Sequence, residues 1–330
     1  MKCSVVIATY NGENYIEEQL NSILNQTLKP NEIVICDDLS TDNTLKILLE
    51  VKKKTTVPIK VFQHKKNMGV RSSFSDAISV ASEEIIFLCD QDDYWYENKI
   101  ECFMNVFAND NDIIMAFSDA DVVDQNLRKT GKTLWNSINF TPTNIQDPMN
   151  FADEILKRNI FTGMCMAVKK ELIKSNKMFI SNEMLHDEEI GWNAIFTGKI
   201  EMISKQLVAY RQHSENVIGS SNTRKFESFA LMRKIVKEST ERTQRKFKEL
   251  GENPLSKSNP ALYEKLNNAF LFYSERVQLF TESRIKGGAL FLKMFMRGDY
   301  SRYCSKSENA IKKDITCILI KAGDLHERIQ

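Results

Sequence analysis

At residues 85–95 the chain reads IIFLCDQDDYW, an apolar run that leads straight into three carboxylates. Ile85–Cys89 is continuously apolar, which is typical of a strand covered on both faces in a parallel sheet. Asp90, Asp92 and Asp93 repel one another, and burying them is costly unless a cation or hydrogen-bond donors neutralise them. Mg²⁺ or Mn²⁺ meets that need through carboxylate oxygens, water and substrate phosphates. The stretch alone also fits a solvated acidic loop, so both interpretations stay open at this point.

Three strand–helix units precede this stretch. Strands are predicted at residues 3–9, 32–36 and 60–63, with residues 85–89 as the fourth, and the third of these is short. Residues with helical periodicity follow each of the first three strands, and Ser40-Thr41-Asp42-Asn43 supplies helix-capping chemistry before the second helix. Alternating β and α segments predict an α/β protein with a Rossmann-like, mainly parallel sheet between helices.

Polar side chains follow three of these strands. Thr9-Tyr10-Asn11 ends the first, Asp37-Asp38 ends the second, and Asp90-Gln91-Asp92-Asp93 ends the fourth. Ligands of such sheets bind beyond the carboxyl ends of the strands. We therefore expect these residues to converge on one site, although they are far apart in the sequence.

The remainder of the chain is less regular. A helix is predicted at residues 98–107, strands at 112–117 and 162–168, an irregular excursion at 128–160, and short strands at 200–203 and 207–210. His186-Asp187-Glu188-Glu189 is predicted to open a helix, because acidic residues favour the first turn. From about residue 224 onward the pattern is helical, with one face containing Phe226, Phe229, Ala230, Ile235 and Val236.

Composition limits the possible classes of protein. The chain has 330 residues, 42% of them hydrophobic and 27% charged, a mixture typical of soluble globular proteins. No apolar run approaches the length of a membrane span, and the first residues do not resemble a signal peptide. Seven cysteines without a CxxC pair favour a reduced, cytoplasmic protein, with Cys3, Cys36, Cys89 and Cys165 in the core.

Charge is distributed unevenly. Residues 1–223 hold 23 Lys and Arg against 31 Asp and Glu, whereas residues 224–330 hold 22 against 13. We expect a catalytic domain at 1–220 and a basic, mainly helical C-terminal region at 221–330. The basic region suits peripheral contact with an anionic membrane or only solvated helix faces. No nucleic-acid-binding motif is present.

Two common nucleotide motifs are absent from the sequence. No GxGxxG follows the first strand, and no GxxxxGK[ST] occurs, so neither a dinucleotide fold nor a P-loop is expected. Acids rather than glycines at the strand ends indicate a diphosphate bridged to the protein by a metal ion.

The ordered motifs resemble those of family 2 glycosyltransferases. The resemblance rests on SVVIATYNG (4–12), ICDDLSTD (35–42), NMGV (67–70) and DQDD (90–93), and it implies a GT-A fold and inversion at the anomeric centre. FTGMC (161–165), HD (186–187) and YRQHSENV (210–217) are similar to a bacterial rhamnosyltransferase-like branch. The resemblance covers roughly residues 1–220.

Carried over position by position, the resemblance implies roles for fourteen residues. It assigns nucleotide-sugar binding to one group: Thr9, Tyr10, Asn11, Asp37, Asp38, Asn67, Asp90, Gln91 and Arg211. It places Asp92 at Mn²⁺ or Mg²⁺ as the main ligand of a DXD-type motif, with Asp90 and His213 as further metal candidates. Asp187 is the implied general base, and Glu188 and Glu189 compete with it.

Three departures from the family pattern bear on these roles. Leu39 stands where the family usually has Gly, so the backbone of that turn must differ or be strained. Glu188-Glu189 replaces the aromatic residues usual in the branch, which leaves the acceptor pocket open. Ser73 stands where the branch often has Asn.

The sequence therefore predicts a metal-dependent transferase that moves rhamnose or another hexose from a dTDP- or UDP-linked donor. The implied acceptor is a saccharide or lipid-linked saccharide, in capsule or O-antigen assembly at the inner face of the plasma membrane. One alternative is a sugar-phosphate nucleotidyltransferase, although Asn11-Gly12-Glu13-Asn14 is a poor phosphate loop. The other is a non-catalytic nucleotide-sugar-binding protein.

Overall fold

The computed structural model describes residues 1–142, 148–175, 181, 183–213 and 228–319. Contacts divide the chain into two compact units. The first, here called the sheet unit, comprises Met1–Pro148, Ile160–Ile180 and Leu185–Ser220. The second, the helical unit, comprises Met149–Asn159, Ser181–Met184 and Ser221–Gln330. Two short segments that precede residue 220 thus belong with the C-terminal helices.

The described residues of the sheet unit form nine strands. They are β1 (Cys3–Thr9), β2 (Glu32–Asp37), β3 (Ile59–Gln63), β4 (Ile85–Cys89), β5 (Tyr94–Trp95), β6 (Ile113–Val123), β7 (Lys129–Thr133), β8 (Met166–Lys169) and β9 (Lys199–Arg211). The sheet order is β3-β2-β1-β4-β8-β6-β9-β5, and β7 pairs with β6. The predicted α/β class is confirmed.

The first four strands form the parallel part of the sheet. β1 lies between β2 and β4, with Thr9 opposite Asp37 and Ile7 opposite Cys89. Every residue of β1 and β4 is buried, in accord with their continuous apolar sequences. This register brings the polar residues after β1, β2 and β4 to one edge.

The second half of the sheet is mixed and differs from the sequence prediction. β8 is antiparallel to both β4 and β6, whereas β6 and β9 are parallel with register shifts along their length. The two short strands predicted at 200–203 and 207–210 are one strand, and the predicted strand at 162–168 begins with a 3₁₀ turn at Gly163–Cys165. The excursion predicted as irregular at 128–160 contains β7 and two helices. These differences arise because the strands pair with segments that are distant in the sequence, and local periodicity does not predict such pairing.

Among the described residues, eight helices occur between the first strand and β9. They are α1 (Ile16–Leu24), α2 (Thr44–Lys54), α3 (Val70–Val80), α4 (Lys99–Asn109), α5 (Leu134–Ser137), α6 (Pro148–Lys157), α7 (Lys170–Ser175) and α8 (His186–Thr197). Most of α6 belongs to the helical unit. Apolar residues of α1, α2 and α4 share one core with β1, β2 and β4. The strand ends that carry the predicted site residues are therefore anchored in this buried core.

The helical unit continues with α9 (Phe229–Glu252), α10 (Pro254–Lys257), α11 (Pro260–Gln278), α12 (Arg284–Met296), α13 (Asp299–Tyr303) and α14 (Ser307–Leu319). The helical character predicted after residue 224 is confirmed for these residues. The face predicted for the first of them is wrong in part, because Phe229 is exposed while Met232 and Val236 are buried. Phe226 lies outside the described residues. No helix among the described residues is long and apolar enough to cross a membrane.

Candidate active site

The carboxyl ends of β1, β2 and β4 bring the predicted residues to one edge of the sheet. Gln91 reaches from the loop after β4 to the backbone of Tyr10, accepting from Tyr10 N–H (2.9 Å) and donating to its carbonyl (3.1 Å). A Cβ at Gly12 would lie 2.4 Å from Gln91 Oε1, so a larger residue there would displace the Gln91 side chain from its contacts with Tyr10. Thr9 donates through Oγ1 to Asp37 Oδ1 (3.0 Å). The convergence predicted from the sequence is therefore present.

The loop after β2 is tied to the loop after β1 by Asn11. Its N–H donates to Ser40 Oγ (2.9 Å), and its Oδ1 accepts from Thr41 N–H (2.8 Å). Leu39 has a φ of +65° and Asn11 a φ of +50°. Leu39 thus adopts the left-handed conformation that suits glycine, and the strain anticipated for this turn is observed. The side chain of Asn11 is engaged in this loop contact.

The two acids after β2 hold neighbouring backbone. Asp37 is fully buried and accepts from Thr9, from Ser40 N–H (3.0 Å) and from Gln63 Nε2 (2.8 Å). Asp38 accepts from the N–H groups of Met68 and Gly69, both at 2.7 Å, and lies 2.7 Å from His64 Nδ1.

These contacts set the charge of Asp38. Burial opposes ionisation of its carboxyl, but hydrogen bonds from Met68 N–H, His64 and Gly69 N–H hold the pKa of Asp38 below its ordinary value. Asn67 donates through Nδ2 to the Asp38 carbonyl at 3.4 Å. Asp37, Asp38 and Asn67 therefore hold the backbone at the edge of the site. The carboxylates of Asp37 and Asp38 already accept hydrogen bonds from protein groups.

The loop after β4 carries carboxylates that lack such compensation. Burial, with the nearby charges of Asp92 and Asp187, raises the pKa of Asp90 to about 7. Burial, with the charges of Asp92 and Asp90, raises the pKa of Asp93 well above its ordinary value. Asp93 Oδ1 accepts from Arg211 N–H (3.1 Å), whereas its Oδ2 has no hydrogen-bond partner in the described structure. The ionised forms of Asp90 and Asp93 are therefore disfavoured in this loop, and a bound cation would favour them.

His213 meets this loop at Asp92. The His213 Nε2 atom lies 2.9 Å from Asp92 Oδ2, and the His213 ring packs against Tyr15 with centroids 4.7 Å apart. The resemblance to the family predicted both residues as metal ligands, and their donor atoms lie side by side. Residues 214–217 of the same motif lie outside the described residues.

Arg211 holds the backbone of the same loop. Its guanidinium donates to the Asp92 carbonyl (2.7 Å), the Gln125 carbonyl (2.6 Å) and the Glu18 carboxylate (2.5 Å), and its side chain is almost fully buried. These contacts favour a positioning role over the nucleotide-binding role predicted from the family.

Lys99 is a buried cation that the sequence prediction missed. Its Nζ donates to the Met164 carbonyl (2.5 Å) and lies 3.3 Å from the centre of the Trp95 ring. Burial lowers the pKa of Lys99 to about 8, against the opposing influence of Cys165, Cys89, Asp93 and Asp90. No ion pair joins Lys99 to Asp90 or Asp93 in the described chain. The sequence around Lys99 does not indicate that it is buried, because its hydrogen-bond partner Met164 comes from a distant segment.

The three acids at the start of α8 have different surroundings. Asp187 is buried and accepts from Glu188 N–H (2.7 Å) and Gly163 N–H (3.3 Å). Burial raises the pKa of Asp187 to about 7, although these backbone donors act in the opposite direction. Glu189 is buried in an ion pair with Arg71 (2.7 Å), and Glu188 is only partly exposed. The pKa of Asp187 suits a general base near neutral pH.

His186 lies beside Asp187 and was not predicted as a site residue. It is buried, stacks on Phe74 with ring centroids 4.1 Å apart, and has no hydrogen-bond partner at either ring nitrogen among the described residues. Burial, with the nearby charge of Arg71, lowers the pKa of His186 to about 3, so the ring is neutral. The HD pair could have drawn attention to it.

The residues present fit a divalent ion bound with few protein ligands. Asp92 and His213 offer one carboxylate and one imidazole, and Asp90 adds a second carboxylate whose pKa is raised by burial and by the charges of Asp92 and Asp187. The described residues contain no preassembled group of three or more metal-binding side chains. Mg²⁺ and Mn²⁺ commonly take one or two carboxylates and complete their coordination with water and substrate phosphates. An acidic, undercompensated loop with two adjacent donors fits that mode.

A Rossmann-like sheet with an acidic loop after its fourth strand, and a buried acid at the start of a later helix, defines the GT-A class of glycosyltransferases. Comparison with known proteins gives the family. Residues 4–175 match the model described as "Glycosyl transferase family 2", which is more than half of the chain. The protein belongs to glycosyltransferase family 2.

Named relatives agree with this assignment. A dTDP-rhamnosyl transferase, RfbG, from Shigella flexneri is 30% identical over 232 residues, which cover 65% of this chain and 74% of that protein. Two other relatives, at 29% and 26% identity, are matched over 66% and 63% of their own length, so the chain spans just under two thirds of each.

Solved structures share the fold. The structure of S. aureus TarS 1-349 in complex with UDP-GlcNAc superimposes with a TM-score of 0.57 at 18% identity, covering 100% of this chain and 93% of that one. The mannosyltransferase PcManGT from Pyrobaculum calidifontis, in complex with GDP-Man and Mn²⁺, gives a TM-score of 0.52 at 16% identity, with coverage of 96% and 86%. At these identities the likeness shows the fold alone.

Proposed function

We propose that the protein is a metal-dependent, inverting glycosyltransferase that takes a hexose from a nucleotide-diphosphate donor. One observation carries the proposal: at the end of β4 the Asp92 carboxylate lies 2.9 Å from His213 Nε2, and burial with the negative charges of Asp92 and Asp187 raises the pKa of Asp90 in the same loop. A bound cation would relieve that charge, and a nucleotide diphosphate would complete its coordination.

Asp92 and His213 would hold Mn²⁺ or Mg²⁺, with Asp90 contributing to the ion or to the donor ribose. When bound, the ion stabilises negative charge on the departing nucleotide diphosphate. Arg211 fixes the backbone of Asp92 through its carbonyl. Tyr10 is 47% exposed at the end of β1, which supports a role as a surface for the nucleotide base.

Asp187 would take the proton from the acceptor hydroxyl. Its carboxylate is oriented by Glu188 N–H and Gly163 N–H, and its pKa near 7 places the protonated and ionised forms in balance at neutral pH. The acceptor oxygen attacks the anomeric carbon from the face opposite the diphosphate, and the bond to the diphosphate oxygen breaks in the same step. The configuration at the anomeric carbon is thereby inverted.

The donor is proposed to be dTDP- or UDP-linked, with rhamnose or another hexose as the sugar. The RfbG relative, named as a dTDP-rhamnosyl transferase, supports the first, and the UDP-GlcNAc complex of TarS supports the second. The acceptor is proposed to be a saccharide or lipid-linked saccharide of a surface polysaccharide, reached from the cytoplasmic side. In this view residues 1–220 carry catalysis and residues 221–330 serve binding and placement.

A donor panel tests this function. The protein is incubated with dTDP-rhamnose, UDP-glucose, UDP-GlcNAc and GDP-mannose, with Mn²⁺ or EDTA, and release of nucleoside diphosphate is measured. We expect release from one pyrimidine-linked donor, dependent on the metal and lost in Asp92→Asn. Asp110→Asn is the matched control, because Asp110 lies on an exposed loop in an ion pair with Lys199. Release of pyrophosphate from a nucleoside triphosphate would instead identify a nucleotidyltransferase, and binding without turnover on any donor or acceptor would identify a non-catalytic protein.

A further inference from the structure

Helix α12 exposes its apolar side chains to solvent. Ile285 is 86% exposed, Leu292 54%, Phe295 52% and Met296 79%, and Ala289 is also exposed. Gly287 and Met294, on the opposite side of the helix, are buried. An amphipathic helix of a globular protein places its apolar face inward, so α12 has a second, outward apolar face.

These five residues form one continuous stripe along the helix. Counted from Ile285, they fall at positions +4, +7, +10 and +11, which an α-helix brings onto one side. We call Ile285, Ala289, Leu292, Phe295 and Met296 the α12 stripe. A contiguous exposed apolar surface of this kind commonly marks a site of interaction with a membrane or another protein.

Cations border the α12 stripe. Lys286, Lys293 and Arg297 fall at +1, +8 and +12 from Ile285 and therefore form a row along one edge. The side chains of Lys286 and Lys293 are 73% and 57% exposed. Arg284–Met296 contains three Lys and Arg and no acidic residue. Within this helix the charge is entirely positive.

Acidic residues from neighbouring segments form an ion pair with each cation of this row. Glu282 lies 3.7 Å from Lys286, and Glu275 lies 2.7 Å from Lys293. Arg297 pairs with Glu275 and with Asp299. The side chains of Lys286, Lys293 and Arg297 are nonetheless 73%, 57% and 40% exposed, which leaves these cations accessible to further anions.

We propose that α12 docks the protein on an anionic lipid surface. The α12 stripe enters the boundary between headgroups and acyl chains, while Lys286, Lys293 and Arg297 extend to the lipid phosphates at its edge. An apolar stripe bordered by long basic side chains is the surface of an interfacial helix. This proposal rests on α12 and is independent of the donor chemistry proposed above.

Charge favours a lipid surface over a second copy of the chain. Two α12 helices paired through their stripes would bring basic rows near each other, and α12 supplies no acid to oppose them. Anionic headgroups complement the row directly. The other occupants, a second copy or residues 320–330 of the same chain, are outcomes of the test.

The test is cosedimentation of the full chain with vesicles. Wild type is mixed with phosphatidylcholine vesicles that contain either no phosphatidylglycerol or 30% phosphatidylglycerol, at low and high salt. We expect binding at least tenfold tighter to the anionic vesicles. The double variant Leu292→Glu and Met296→Glu should lose at least tenfold, and Lys286→Gln with Lys293→Gln should weaken binding and flatten its salt dependence.

Leu271→Glu is the matched control, since Leu271 is 49% exposed on α11 outside the stripe and should bind as wild type does. Circular dichroism and donor hydrolysis in solution should be unchanged in all variants, which separates loss of docking from loss of folding or of catalysis. Equal vesicle binding by wild type and the α12 variants would overturn the proposal. So would a wild-type dimer that the α12 variants convert to monomer without vesicles, or vesicle binding that appears only after residues 320–330 are removed.

Discussion

Buried carboxylates occur in both units of the molecule, but in opposite electrostatic states. In the helical unit Asp314 is fully buried and accepts from Arg276 Nε (2.7 Å), Arg276 Nη2 (2.9 Å) and the Tyr300 hydroxyl (2.7 Å). This carboxylate is compensated by a bidentate guanidinium and a phenol, and the nearby charge of Asp314 raises the pKa of Arg276 despite its burial.

In the sheet unit Asp90, Asp93 and Asp187 are held without an ion pair among the described residues, and the pKa of each is raised chiefly by burial. Burial of an uncompensated charge is costly, and proteins retain such groups where a ligand supplies the missing charge or where a proton must move. The contrast distinguishes a carboxylate that contributes to the stability of the fold, Asp314, from carboxyl groups that are available to bind a ligand or to transfer a proton.

The largest expected effect is at Asp92. Asp92→Asn removes the carboxylate proposed to hold the ion, so sugar transfer should fall by about 10³-fold at saturating Mn²⁺. Initial rates of nucleoside diphosphate release measure this, with Asp110→Asn expected to match wild type. If Asp92→Asn retains more than a tenth of wild-type activity, then Asp92 is not a ligand of the metal ion.

The next effect distinguishes the acids of α8. Asp187→Asn should reduce transfer by about 10²-fold or more, because the acceptor loses its general base. Glu188→Gln should change the rate by less than tenfold if Asp187 is the base. Donor binding by Asp187→Asn, measured by calorimetry, should remain close to that of wild type. A greater loss of transfer in Glu188→Gln than in Asp187→Asn would reverse the assignment.

The compensated pair gives the corresponding stability prediction. Arg276→Met leaves Asp314 buried without its cation and should lower the free energy of unfolding by about 3 kcal/mol. Adding Asp314→Leu should recover much of the loss, since the second change removes the stranded charge. Denaturant titration measures both variants. An additive loss in the double variant would mean that packing around the pair, rather than charge compensation, controls its contribution.

The uncompensated charge predicts a dependence on pH. Asp187 has a pKa near 7 in the folded protein and about 4 when unfolded, so the folded state holds its proton more tightly. This stability is present at low pH and is lost as pH rises through the window from about 4 to 7. Between pH 5 and 7, in EDTA, the free energy of unfolding of wild type should fall by about 2 kcal/mol relative to Asp187→Asn. A difference between the two proteins that does not change with pH would contradict this.

The smallest effect concerns the strained turn. Leu39 has a φ of +65°, which favours glycine, so Leu39→Gly should raise the free energy of unfolding by about 0.5 kcal/mol. The matched control is Leu49→Gly, at an exposed position inside α2, which should lower it by about 1 kcal/mol. Equal losses in both variants would show that the side chain of Leu39 makes a stabilising contact.

The sequence was sufficient for β1, β2 and β4, because each contains a continuous apolar run and the polar residues that follow have a fixed place in a parallel sheet. The joined strand β9 and the position of β8 escaped prediction, because they depend on pairing between segments far apart in the chain. Lys99 and the ion pair between Arg71 and Glu189 escaped for the same reason. Local spacing identifies the acids of the site, whereas tertiary contacts determine which of them are compensated.

The most direct measurement is calorimetric binding of dTDP and UDP to wild type and Asp92→Asn, each with Mn²⁺ and with EDTA. The proposed site predicts that wild type binds at least one nucleotide at least tenfold more tightly with Mn²⁺ than with EDTA. Asp92→Asn should bind weakly and equally under both conditions. If wild type binds with the same affinity in EDTA, or if Asp92→Asn keeps the full response to Mn²⁺, then the uncompensated loop after β4 is not a metal-diphosphate site.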